Sequence, residues 1–72
     1  MNNTVLRERR LSNGLVIQMQ RQSGMLRRVC VVLDEPLEDY SGIGSKLEAE
    51  CLMQNLSEKY DTISKEDLML FQ

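Results

Sequence analysis

Hydrophobic and polar residues alternate along the first half of the chain with the period of two that half-buried β-strands show. The alternation is clearest at residues 15–20, where one side carries Leu15, Ile17 and Met19 and the other carries Val16, Gln18 and Gln20. Turn residues bound the runs at Asn13-Gly14 and at Ser23-Gly24. A third run covers 26–33, and its nearly continuous apolar part, Val29–Leu33, is typical of a central strand. Residues 4–33 are therefore predicted to form a three-stranded antiparallel β-meander.

The pattern changes after residue 33. Residues 34–45 contain the only proline, two glycines and four acidic residues. Because proline lacks the N–H that a sheet ladder needs, Pro36 is expected to end strand pairing, and this segment is predicted to be an acidic loop. Ser45-Lys46-Leu47-Glu48 then has the form of a capping box, so a helix is predicted from about 46 to 59. Its apolar side is expected to carry Leu47, Cys51, Leu52, Leu56 and Tyr60.

A second capping signal occurs at Ser64, which is followed by the acidic residues Glu66 and Asp67. It predicts a short C-terminal helical turn, so that the helical part covers 46–71. The predicted fold class is α+β: a meander packed against one main α-helix, in a single small domain of residues 1–72.

The length and the cysteine content point to a cytoplasmic protein that is stabilised by a partner. The core of a 72-residue chain supplies no more than about 3–5 kcal/mol without a supplement. The two cysteines are not preceded by a secretory signal, and no apolar run approaches the length of a membrane span. Reduced thiols and a cytoplasmic location are therefore expected. Association into a homodimer or with another macromolecule is expected to supply the additional stability.

Charge is divided sharply between the two halves of the chain. Residues 1–28 contain six arginines and one acid, a net charge of +5, whereas residues 29–72 contain three lysines and ten acids, a net charge of −7. Guanidinium groups form bidentate contacts with carboxylates and phosphates that ammonium groups do not match. Two surfaces of opposite sign are expected, with the arginines on the sheet and the acids on the loop and helix. A chance asymmetry in a short chain is the alternative.

Catalysis, cofactors and metals are not predicted. There is no histidine, and Cys30 and Cys51 both lie in apolar patterns where they are expected to be buried. The acidic segment lacks the spacing of a calcium loop, and no phosphate-binding glycine motif occurs.

Two charged surfaces are candidates for contact with a partner. On the sheet, the face opposite the helix is expected to present Gln18 and Gln20 with arginines drawn from Arg7, Arg9, Arg27 and Arg28. Arginine and glutamine there can contact carboxylates, phosphates or base edges. The predicted loop presents the carboxylates of Asp34, Glu35, Glu38 and Asp39. For both surfaces, the alternative is that the charged side chains only face solvent and bind no partner.

A third candidate is the C-terminal end. Asp67-Leu68-Met69-Leu70-Phe71 resembles the Q-L-x-L-F peptide by which many bacterial replication and repair proteins bind the sliding clamp, with Asp67 in place of the glutamine. Leu68, Leu70 and Phe71 are predicted to form an apolar anchor, since four consecutive apolar side chains cannot all face one helix core. The alternative is that Leu68 and Phe71 pack on the sheet.

The preferred hypothesis is a non-enzymatic regulatory or inhibitory interaction protein, of the kind that phages and mobile elements encode, which binds a protein partner through its charged surfaces. A dimeric, sheet-type DNA-binding transcriptional regulator is the alternative. It is disfavoured because residues 1–39 contain no aromatic side chain and the net charge is −2. A sliding-clamp ligand is a weaker alternative.

Overall fold

The computed structural model describes residues 4–33, 36–64 and 66–67, which form a four-stranded sheet crossed by one helix. In chain order the elements are β1 (Thr4–Arg10), β2 (Val16–Ser23), β3 (Leu26–Val32), β4 (Pro36–Ile43) and α1 (Lys46–Asp61). The strands lie in sequence order, and each pairs antiparallel with the next. The α+β class and the antiparallel meander are confirmed, with one strand more than predicted.

The additional strand, β4, occupies the segment that was predicted to be an acidic loop, so that prediction is wrong. Pro36 is tolerated because it is the first residue of an edge strand, where only one side of the backbone has a neighbour. A bulge follows near the other end, where Ser41 and Gly42 together lie opposite the single residue Arg28. Gly42 has a φ of +73°, which a residue with a side chain rarely adopts, so a glycine suits this bulge.

The core lies between the sheet and α1. The predicted inward side of β2 is confirmed, since Leu15, Ile17 and Met19 are all buried. From the helix, the buried apolar positions follow a spacing of four, three and four residues that keeps them on one stripe. The core cluster comprises Leu15, Ile17, Met19, Val29, Val31, Ala49, Met53, Leu56 and Tyr60.

The predicted apolar side of the helix is wrong in part. Leu56 and Tyr60 are buried as expected, but Leu47 is 69% exposed and Cys51 is exposed. The buried stripe includes Ala49, which is fully buried in the core. Leu47 precedes Ala49 by two residues, about 200° around the helix, and so lies on the outer side.

The helix termini follow the predicted signals. The Ser45 hydroxyl accepts a hydrogen bond from the backbone N–H of Glu48 (3.3 Å), which confirms Ser45 as the N-cap. The helix ends at Asp61, two residues beyond the predicted end. Farther on, the N–H of Asp67 donates to the Ser64 hydroxyl (3.1 Å), as the second capping signal predicted. The predicted helical turn beyond Asp67, with the apolar anchor, lies outside the described residues.

Asn13 ties the first turn of the sheet to the end of the helix. Its buried side-chain amide donates to the carbonyl oxygens of Tyr60 and Ile63, both at 2.8 Å, and its side-chain oxygen accepts from the N–H of Leu15 (3.1 Å). Both polar atoms of this side chain are therefore hydrogen-bonded, and one residue joins the turn between β1 and β2 to the C-terminal end of α1.

Candidate partner-binding groove

The predicted basic face does not form as one surface. Residues directly opposite each other on neighbouring antiparallel strands share a face of the sheet. Arg7 and Arg9 pair with the buried Met19 and Ile17, and Arg27 pairs with Arg21, so these arginines lie on the side of the sheet that faces α1. Of the six predicted residues, the outer face carries only Arg28, Gln18 and Gln20.

On the outer face, side chains from β1 and β2 bond to one another. Glu8 accepts from Arg10 Nε (3.0 Å) and from Gln18 Nε2 (3.1 Å). Gln20 Nε2 donates to Gln18 Oε1 (3.0 Å), which carries the hydrogen-bonded row toward the centre of the sheet. Each carboxylate oxygen of Glu8 thus accepts a hydrogen bond, and the negative charge of Glu8 compensates the positive charge of Arg10 beside it.

The same row continues across β3 to β4. Arg28 donates through one terminal nitrogen to Gln20 Oε1 (3.4 Å) and through Nε to Asp39 Oδ1 (2.6 Å), while its other terminal nitrogen pairs with Asp39 Oδ2. This bidentate pair is the strongest geometry available to a guanidinium and a carboxylate. The guanidinium of Arg28 is therefore held by Asp39 within the domain.

Cys30 lies beneath this row. It is 2% exposed, and Gln20 Nε2 lies 3.6 Å from its sulfur. Burial raises the pKa of the thiol, and the neighbouring Arg28 acts in the opposite direction. The predicted burial of Cys30 is confirmed, whereas Cys51 is a free, exposed thiol on the outer side of α1.

The predicted acidic surface is also divided. Glu38 pairs with Val31 on the helix side and accepts from Lys59 Nζ (2.9 Å), whereas Asp39 lies on the outer face with Arg28. Asp34 and Glu35 lie outside the described residues. The charge asymmetry of the sequence does not give two surfaces of opposite sign, because acids of the second half fold against basic residues of both halves.

The ion pair between Arg28 and Asp39 is expected to make the stability of the domain depend on pH. The hydrogen bonds from Arg28 lower the pKa of Asp39 below its ordinary value. A lowered pKa in the folded state contributes stability that is present above the ordinary pKa of about 4 and is lost as the pH falls through the lowered value. Both side chains are partly exposed, so the contribution is at most about 1 kcal/mol.

We expect the urea midpoint of the wild type to fall more steeply between about pH 5 and pH 2 than that of Asp39→Asn, since only the wild type loses this ion pair. Glu58→Gln provides a control, because Glu58 is an exposed carboxylate on the helix that binds a neutral amide, that of Gln54. Parallel pH curves for the wild type and Asp39→Asn would contradict the assignment.

A groove runs between β1 and α1, because the helix packs on β2 and β3 and leaves all of β1 exposed. It has an upper cavity of about 350 Å³ beside the start of the helix and a lower cavity of about 210 Å³ beside its middle. The two cavities share Arg7 and Glu50. We call this surface the basic groove, after its charged lining residues, Arg7, Arg9, Arg21, Arg27, Lys46 and Glu50.

Contacts inside the basic groove leave most of its positive charge uncompensated. Arg7 approaches Glu50 at 3.6 Å, and Arg9 donates to the neutral Gln54 side chain at 3.2 Å. A terminal nitrogen of Arg27 reaches the Met25 carbonyl oxygen at 3.5 Å, while its Nε is buried without a hydrogen-bond partner among residues 4–33, 36–64 and 66–67. Five cations therefore face one carboxylate.

Sequence reasoning missed three residues of this groove: Arg21, Lys46 and Glu50. The alternation that places Ile17 and Met19 inward also places Arg21 on that side, two residues farther along β2. Extending this alternation by one more period would have predicted Arg21 on the helix side. Lys46 and Glu50 required knowledge of which strands the helix covers.

In the described part of the chain, no helix is long and apolar enough to cross a bilayer. Within the same residues, cysteine, aspartate and glutamate side chains do not gather in a group of three that could hold a metal ion. Comparison with known proteins gives no match to a family model, to a curated protein or to a solved structure.

Proposed function

We propose that this protein is a small, non-enzymatic regulatory or inhibitory interaction protein that binds an acidic segment of a partner protein in the basic groove. The observation that carries the proposal is the concentration of five cations against one carboxylate in a chain whose net charge is −2. A positive groove on an acidic protein attracts a local acidic segment and disfavours non-specific binding to polyanions.

The outer face of the sheet favours a protein partner over DNA. A sheet that inserts into the major groove needs exposed donors that are free to reach base edges. Here Arg28 is held by Asp39, Gln18 donates to Glu8, and both acids would face the DNA phosphates. The two cavities of the basic groove have no aromatic side chain among their described lining residues, whereas single-stranded nucleic acids are usually bound by stacking.

A cytoplasmic location is part of the proposal. Cys30 and Cys51 are both free, and the exposed thiol of Cys51 is compatible with a reducing compartment.

Removal of one groove charge is expected to weaken binding of an acidic peptide. We expect Arg21→Gln to lower the affinity for a fluorescein-labelled peptide of alternating glutamate and leucine by about fivefold, equivalent to about 1 kcal/mol for one exposed charged contact. The affinity should also fall as salt is added, since exposed charges are screened. Fluorescence anisotropy at low ionic strength measures both effects.

The matched control is Arg10→Gln, which removes the same charge from an exposed arginine on the outer face of the sheet. It should leave the peptide affinity unchanged. If both variants weaken binding equally, the attraction is a property of the net charge and the groove is not the site. A DNA duplex that binds more tightly than the peptide would favour the regulator hypothesis instead.

A further inference from the structure

The upper cavity concentrates the positive charge of the basic groove. Arg7, Arg21, Arg27 and Lys46 surround a space of about 350 Å³ that contains one carboxylate, Glu50. These basic residues come from three strands and from the first turn of the helix. The backbone dipoles at the start of α1 add a further partial positive charge at the same end.

One pair of side chains at the cavity is unfavourable without an anion. Arg21 and Arg27 lie directly opposite each other on β2 and β3, and like charges at such a position destabilise a sheet. An anion with several acceptor oxygens, bound between the two guanidinium groups, offsets the repulsion between them.

The charge and size of the cavity select among anions. A carboxylate brings one negative charge, whereas a phosphorylated side chain carries about −1.5 to −2 at neutral pH and three acceptor oxygens. The cavity is larger than a phosphate group alone, and its apolar lining residues Leu6 and Met19 can contact the carbon atoms that carry the phosphate. Guanidinium groups are suited to binding such a group in bidentate fashion.

We infer that the upper cavity binds the phosphate group of a phosphoserine or phosphothreonine in the partner segment, with Arg21, Arg27 and Lys46 as its principal ligands. The inference rests on the proposed function, since it treats the phosphorylated residue as part of the acidic segment that occupies the basic groove. The lower cavity, with Arg9 and Gln54, then holds neighbouring acidic residues of the same segment.

The test uses three labelled peptides that are identical except for a central serine, phosphoserine or glutamate. Wild-type protein is expected to bind the phosphoserine peptide about tenfold more tightly than the other two, because the phosphate accepts additional charge-assisted hydrogen bonds. The preference should decline as the pH falls below about 6, where the phosphate becomes a monoanion.

Variants locate the site. Arg21→Gln and Lys46→Gln, both at exposed positions, should each remove most of the preference for phosphoserine. Arg9→Gln, in the lower cavity, should weaken all three peptides by the same factor, and Arg10→Gln on the outer face should change none of them. Circular dichroism and thermal unfolding of each variant establish that the fold is intact.

The outcomes separate this inference from the proposed function. Equal affinity for the phosphoserine and glutamate peptides would overturn the phosphate site while leaving the acidic groove intact. A preference for phosphoserine that persists in both Arg21→Gln and Lys46→Gln would overturn it too. Binding of the phosphoserine peptide alone, abolished by Arg21→Gln, would support the phosphate site and reject general recognition of acidic segments.

Discussion

Replacing Leu56 by alanine is expected to destabilise the domain by about 2–5 kcal/mol, whereas the same replacement at Leu47 is expected to cost less than about 0.5 kcal/mol. Both residues lie on α1, but Leu56 is 4% exposed and packs in the core while Leu47 is 69% exposed. Because a domain of this size has about 3–5 kcal/mol available, Leu56→Ala is expected to leave a large fraction of the protein unfolded at 37 °C.

Urea denaturation followed by circular dichroism measures both changes under the same conditions. The two variants are closely matched, since both replace leucine by alanine in the same helix under the same conditions. Only the side of the helix on which the residue lies differs. Alanine forms helices at least as well as leucine, so propensity adds no cost at either position. Comparably large losses at both positions would place Leu47 on the buried stripe with Leu56, as the sequence pattern predicted, and would reject the observed packing.

The second large effect concerns Asn13. Asn13→Ala removes three hydrogen bonds and leaves the carbonyl oxygens of Tyr60 and Ile63 and the N–H of Leu15 without this partner. Unsatisfied buried groups cost about 1–3 kcal/mol each, and partial hydration of the vacated site reduces the sum, so a loss of about 2–4 kcal/mol is expected. Thermal and urea unfolding measure it.

Two variants make the Asn13 result specific. Ser12→Ala changes the neighbouring exposed residue of the same turn and should have little effect. Asn13→Asp keeps an acceptor for the N–H of Leu15 but places a carboxylate oxygen against two carbonyl oxygens, so it should destabilise the domain at neutral pH and recover in part when the carboxyl group is protonated. An Asn13→Ala variant as stable as Ser12→Ala would contradict the role of this residue.

Much of the sheet could be predicted because its signals are local. Alternation along β2 and glycines in the two turns depend on residues that are neighbours in sequence. β4 was missed because its composition is that of a loop, while its position at the sheet edge makes that composition tolerable: an edge strand accepts a proline at its first residue and charged side chains along its length.

The site was less predictable, because its residues meet only through tertiary structure. Arg7, Arg9 and Arg27 were singled out correctly as arginines of the sheet, but the side on which they lie depends on register and on a bulge in β1 between Val5 and Arg7. The helix side was mispredicted in part because the small residue Ala49 is fully buried in the core, whereas the larger Leu47 is exposed. The size of an apolar side chain in the sequence does not reveal which of the two is buried.

The contacts of Asn13 have a consequence for how the chain acquires its structure during synthesis. The turn that contains Asn13 leaves the ribosome before α1 does, because its hydrogen-bond acceptors are 47 and 50 residues farther along the chain. Contacts of such separation form late, because a long loop must close before they are made. Until α1 has emerged, the Asn13 amide lacks these two acceptors, and we expect the domain to become ordered as one cooperative unit rather than strand by strand.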